Sequence, residues 1–201
     1  KENQMTEFEK LLDHFEKKIK YELNTKGCIN IYLGHPISDR ANFLYSIQVA
    51  ERLRAIDDRI NVYAAAENDS INDKSNDPTP ADIYDGDITE LLSSDIAVFN
   101  LPGGNQTGTI TEVGMCAGHN SALEKYGLGK RQYIHMIGFS SNARLAQPQF
   151  YTSPFGSDVA FQNASAGENH LTLGVFDKQG FWCPDEEFVY TFIRDVVKRA
   201  C

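Results

Sequence analysis

The chain lacks most of what a membrane, a nucleic acid or a disulfide scaffold demands. No apolar stretch approaches the roughly 18 residues a membrane span needs, so no membrane partner is expected. Positive charge is scarce: 19 Lys and Arg stand against 28 Asp and Glu, a formal net charge of −9. The basic residues are scattered, apart from Lys17, Lys18 and Lys20. A nucleic-acid surface needs a basic patch, so the balance argues against that partner and for a small ligand. Four cysteines, Cys28, Cys116, Cys183 and Cys201, show neither close pairing nor metal-ligand spacing. Five dispersed histidines add no zinc pattern. No metal and no cofactor are therefore expected. With no secretory signal, the cytoplasm is the expected location.

What is present reads as one globular domain, since 201 residues suffice to bury a substantial core. Between about Thr6 and Leu23, Phe8, Leu11, Leu12, Phe15, Ile19 and Leu23 recur at helical spacing with charges opposite. Residues 1–26 are thus expected to form an amphipathic helix packed on a single domain over 27–201. Strands are predicted at Cys28–Leu33, Ile60–Ala65, Asp95–Asn100 and Gln132–Phe139. Helices are predicted from Arg40 to Ile56, Ala81 to Leu92, Thr111 to about Tyr126, and Glu186 to Arg199. Glu67 to Pro80, rich in Asn, Asp, Ser and Pro, reads as a long loop, and such loops usually bind or cover something. Residues 140–180 carry little signal beyond a strand suggested at Leu171–Phe176. Alternating strand and helix predicts a doubly wound, mostly parallel open sheet. That is a three-layer α/β sandwich of flavodoxin-like or Rossmann-like form, with the N-terminal helix added.

Four places carry chemistry. Asn100–Gly114 follows the apolar run Ile96–Phe99 with a glycine turn and then a helix pattern, so Glu112 is expected in the first helical turn. A carboxylate there would be favoured as the anion by the helix dipole. It would lie where open α/β sheets bind ligands, outside the carboxyl ends of the strands. The other places are the end of strand one (Tyr32, Gly34, His35), Asp87 in the preceding helix, and the turn residues Gln106 and Gly108. Each has a plainer reading. Tyr32 would be core, His35 a loop cap, and Asp87 part of a solvated acidic face with Asp82, Asp85 and Glu90.

The combination is more specific than its parts. Ile31–Ser38, Asp87–Val98 and Gly108–Gly114 resemble, in order, three motifs of the nucleoside 2-deoxyribosyltransferase family. The second has an Asp followed eight residues later by another, and the third is Gly-x-x-x-Glu-x-Gly. The likeness spans about Ile29 to Phe139. It implies that Glu112 attacks the anomeric carbon of a nucleoside, that Asp87 handles a proton at the base, and that Tyr32 positions the nucleophile. It also implies substrate-binding roles for Gly34, His35, Asn68, Gln106 and Gly108, with nucleosides and free nucleobases as substrates. Members complete each pocket with a neighbour's residues, which implies a homo-oligomer. Six residues before the nucleophile the family's transferases carry an acid, and related nucleotide hydrolases a serine; here stands Gln106.

Three other readings compete with base exchange. The first is an N-glycoside hydrolase of nucleosides or nucleoside monophosphates, using water. Leu101–Glu112 also faintly echoes the signature of cytokinin-activating phosphoribohydrolases, with two extra residues interrupting it. Outside enzymes altogether, a nucleotide-sensing module would keep the pocket without turnover.

Overall fold

The computed structural model describes residues 6–129, 132–142, 149–152, 158–161 and 170–201. Helix α1 (Glu7–Lys26) opens with a reciprocal cap: Glu9 N–H donates to Thr6 Oγ1, and Thr6 N–H donates to the Glu9 carboxylate. Such boxes satisfy two of the orphan donors at a helix start. It ends at Gly27, whose φ of +72° is the left-handed conformation that suits glycine. Its inner face buries Phe15 and Ile19 completely, each burial worth about 1.5–3 kcal/mol. The helix is therefore built into the domain.

Five parallel strands form the sheet, in the order β2-β1-β3-β4-β7. They are β1 (Ile29–Gly34), β2 (Ile60–Ala64), β3 (Ile96–Asn100), β4 (His135–Phe139) and β7 (Gly180–Trp182). Two further strands, β5 (Gln149–Thr152) and β6 (Asp158–Phe161), pair antiparallel as a separate ribbon. Helices α1, α2 (Arg40–Arg54) and α7 (Glu186–Ala200) cover one face, closing a core of Ile31, Leu33, Val98, Ile137, Leu53 and Ile193. The opposite face carries α4 (Pro80–Ser93), α5 (Thr107–Tyr126) and α6 (His170–Gln179), over Tyr32, Ala97, Phe99, Leu91, Val113 and Phe176. This is the expected three-layer, doubly wound α/β sandwich. The chain runs from β1 outward to β2, then returns to β3 on the other side of β1. Such a reversal, here at the carboxyl ends of β1 and β3, is where open α/β sheets form their ligand crevice.

Several sequence expectations need correction. Leu171–Phe176 belongs to helix α6; Thr172, Leu173 and Phe176 are buried while Leu171 is 80% exposed, a helical period that the Leu171, Leu173, Val175 alternation disguises. The loop after β2 contains two 3-10 turns and a short helix, α3 (Asp69–Asn72). Strand β4 begins at His135, three residues later than expected, and β7 was not foreseen. Most consequential, α5 starts at Thr107, so Glu112 lies in its second turn. Thr-Gly-Thr-Ile-Thr, poor in helix formers, conceals that start.

Candidate active site

Strand register sets the floor of the crevice. Tyr32 and Tyr63 are Cα partners across the parallel β1–β2 pair, so both rings project to the α4–α5 side. They stack with centroids 5.5 Å apart and planes inclined by 20°. One residue beyond Leu33, Gly34 keeps the floor low. A Cβ there would lie 2.4 Å from a Phe99 ring carbon and 2.9 Å from Glu112 Oε2. The glycine is therefore required first by the close approach of the Phe99 ring and then by that of the acid.

Glu112 descends from α5 onto this floor. It retains some accessible surface as a residue, yet Oε2 is sealed from solvent and has no hydrogen-bond partner among the described residues. Burial pushes its carboxyl up to about 7, Tyr32 opposes that shift, and the charge of Asp87 adds to it. Expectation and structure differ here: in the second turn, buried and beside another acid, the group is not held as the anion by the helix dipole. The Tyr32 hydroxyl is likewise buried without a regular hydrogen bond, and burial with the charge of Glu112 raises its pKa strongly. The two groups couple electrostatically, but their oxygens are not locked together.

Asp87 comes from the inner side of α4 rather than a solvated face. Its Oδ1 accepts a 2.7 Å hydrogen bond from Tyr63 Oη, which in turn accepts one of 2.9 Å from Asn68 Nδ2. Burial raises its pKa, and the Tyr63 bond lowers it. Neither Asp87 nor Glu112 forms an ion pair among the described residues. Two like-charged acids share a desolvated crevice with no cation to neutralise them, an arrangement typical of sites where one acid must carry a proton.

The remaining residues divide. Asn68 sits at the edge of the cluster with its oxygen capping α3 at Ser70 N and one N–H spent on Tyr63, which leaves a single N–H. His35 is not part of the cluster. Its Nδ1 bonds Pro36 O at 2.8 Å, its Nε2 meets Asn100 Nδ2 at 2.7 Å, and its ring packs edge-on against Tyr45. The imidazole therefore donates from Nδ1 and accepts at Nε2. As a buried clamp between the β1 and β3 loops it has no ring nitrogen left for a ligand. Gln106 is buried, and its Oε1 accepts from Gly103 N at 2.9 Å. It braces the turn in which Gly103 and Gly104 adopt φ of +84° and +79°. Gly108, in the first turn of α5, faces open space. Tyr63 was missed from the sequence, where it reads as one more strand residue; its signal is the shared rung with Tyr32. Asn100, buried on His35 and Ser141, was missed too.

No group of three or more His, Cys, Asp and Glu among the described residues could hold a metal ion. No helix among them is long and apolar enough to cross a membrane.

Fold and site together define a doubly wound α/β protein with two unneutralised acids at its switch point. No family model matches the chain, and no curated protein does either. Among solved structures, one described as a conserved protein from Enterococcus faecalis V583 shares the fold, with a TM-score of 0.61 and 21% identity. The match covers 84% of this chain and 98% of that one.

Proposed function

We propose that the protein is an N-glycosyl transferase of the nucleoside 2-deoxyribosyltransferase type. The observation that carries this reading is the Glu112 carboxylate, set over Gly34 beside Tyr32 and Asp87 with no ion-pair partner among the described residues. The three sequence motifs meet there. In the reaction, a Glu112 oxygen attacks C1′ of a 2′-deoxynucleoside. The C1′–N bond breaks, its electron pair passes to the base, and Asp87 delivers a proton to that base. The product is a glycosyl ester of Glu112. A second base then attacks C1′ from the opposite side and gives up its N–H proton to Asp87, the ester C–O bond breaks, and carboxylate and acid are both restored with overall retention. Tyr32 positions the nucleophile, and its raised pKa keeps it a hydrogen-bond donor throughout. Completion of the pocket by a second copy belongs to the same proposal, as does a cytoplasmic setting.

The decisive test is incubation with deoxyinosine and adenine. Deoxyadenosine is the expected product; hypoxanthine alone means hydrolysis, and no product at all favours a sensor. A 2-fluoro-arabinosyl nucleoside should leave an adduct on the peptide containing Glu112. An adduct elsewhere would overturn the assignment.

One observation favours hydrolysis of a nucleoside monophosphate as the second reading. Gln106 is turned onto Gly103, so no side chain from that position is offered to the sugar's 5′ end. The α5 start, with no side-chain cap among the described residues and open space at Gly108, would suit a phosphate. Deoxyinosine and its 5′-monophosphate compared as substrates separate the two readings.

A further inference from the structure

The crevice contains a residue that no motif assigns. Tyr63 touches both halves of the site: its ring lies on Tyr32, and its hydroxyl sits between Asn68 and Asp87. The direction of the chain is fixed. Asn68 Oδ1 caps Ser70, so its Nδ2 must be the end that reaches Tyr63. A hydroxyl that accepts from Asn68 has its own proton free for Asp87 Oδ1. Asn68 is held in turn by the compact segment after β2, where Asn72 Nδ2 bonds Ala65 O at 2.6 Å.

We infer that Tyr63 is a positioning residue that fixes Asp87 Oδ1 as an acceptor and so governs how Asp87 and Glu112 share one proton. The inference rests on the transferase reading and deepens it. With Oδ1 occupied, a proton carried by Asp87 must reside on Oδ2, which defines the oxygen that serves the base. The bond also favours the Asp87 anion against the burial that disfavours it. Because that anion raises Glu112, Tyr63 acts on the nucleophile at second hand. The groups facing Asp87 from each side are Tyr63 on β2, Tyr32 on β1 and Glu112 on α5. Glu90 on its own helix also acts on Tyr63. Among the described residues no cation faces Asp87, and the Tyr63 hydroxyl is what offsets its burial. The titration belongs to the pair rather than to either acid.

Tyr63→Phe removes the hydroxyl and keeps the stacked ring. Carbon-13 titration of the side-chain carboxyls should show the Asp87 midpoint rising by about one pH unit and that of Glu112 falling. On a deoxynucleoside, kcat should drop about tenfold with KM within about twofold, and the pH–rate optimum should move with the carboxyl midpoints. A merely structural tyrosine would leave those midpoints in place. Asn68→Ala, which keeps the phenol but frees its orientation, should shift the midpoints the same way by a smaller amount. It serves as the deciding variant if Tyr63→Phe does not fold. An unmoved Asp87 midpoint overturns the inference, as does an unmoved kcat in an active protein. Wild-type protein that turns over no nucleoside sinks the transferase reading alone, because the carboxyl titration still decides the role of Tyr63.

Discussion

The two ends of one sheet treat buried charge in opposite ways. At the amino ends of the strands, Lys18 lies 3.9 Å from Asp95, and Lys26 reaches Asp95 at 3.3 Å and Glu22 at 2.8 Å. Asp95 also accepts from Asn30 N at 2.9 Å. Each acid there has a base. Nearby His135, packed on Phe15 at 4.2 Å, is pushed well below its usual pKa by burial and stays neutral. At the carboxyl ends, Glu112 and Asp87 are withdrawn from solvent beside the Tyr32 and Tyr63 hydroxyls, with no ion-pair partner among the described residues. Buried pairs fasten elements together, whereas buried like charges store free energy that a ligand can draw on. The contrast separates a fastening from the candidate site without reference to any relative.

Four experiments would break or sharpen that contrast. The largest effect is expected from Glu112→Ala, which should reduce turnover by about four orders of magnitude or more with the folded state retained. Retained activity would remove the carboxyl end from consideration as the reactive one. Next, Asp95→Ala removes the ion-pair partner of the buried Lys18 ammonium, which keeps Tyr133 O and the charge of Glu22, and should cost about 3 kcal/mol in urea unfolding, while kcat per folded molecule stays within about twofold. A large kinetic effect there would erase the distinction between the ends.

The third concerns pH. The folded-state value of Glu112, about 7, exceeds that of an unfolded glutamate, so the native state binds the extra proton. Stability from this group is full below the ordinary carboxylate range and is lost as pH rises through about 7. Glu112→Gln should therefore stabilise the protein by up to about 3 kcal/mol at pH 8 and hardly at all at pH 4. In the active wild type the same titration should make kcat/KM climb up to about pH 7. An acid limb confined near pH 4.5 would show that the carboxylate is hydrated in solution. The smallest effect is expected from His35→Ala: a loss of about 1–3 kcal/mol from the one Asn100 N–H left without its acceptor, with KM for a nucleoside nearly unchanged. A strongly raised KM would return His35 to the binding site.

The sequence disclosed the layers because parallel strands, buried on both faces, read as continuous apolar runs; Ile96–Phe99 is such a run, and all of β3 is buried. It disclosed Tyr32, Asp87 and Glu112 through their motif spacing. The rest was hidden for local reasons. Strand β7 has only three residues, too few for a period. The start of α5 is written in Thr and Gly, and the alternation at Leu171 imitates a strand. The motif resemblance implied ligand-binding roles for His35 and Gln106, since a motif marks positions and not the partners their side chains take. Only coordinates reveal that Pro36, Asn100 and Gly103 had already claimed them. Tyr63 escaped for the opposite reason, since strand pairing places it beside Tyr32 although 31 residues separate them in the chain.

The bare floor beneath Glu112 limits how this protein can drift. Even a methyl group at Gly34 would collide with the Phe99 ring and crowd the carboxylate oxygen. A library randomised at codon 34 and selected for turnover should return glycine alone. Clones with alanine should survive only where codon 99 has changed to a smaller residue in the same gene.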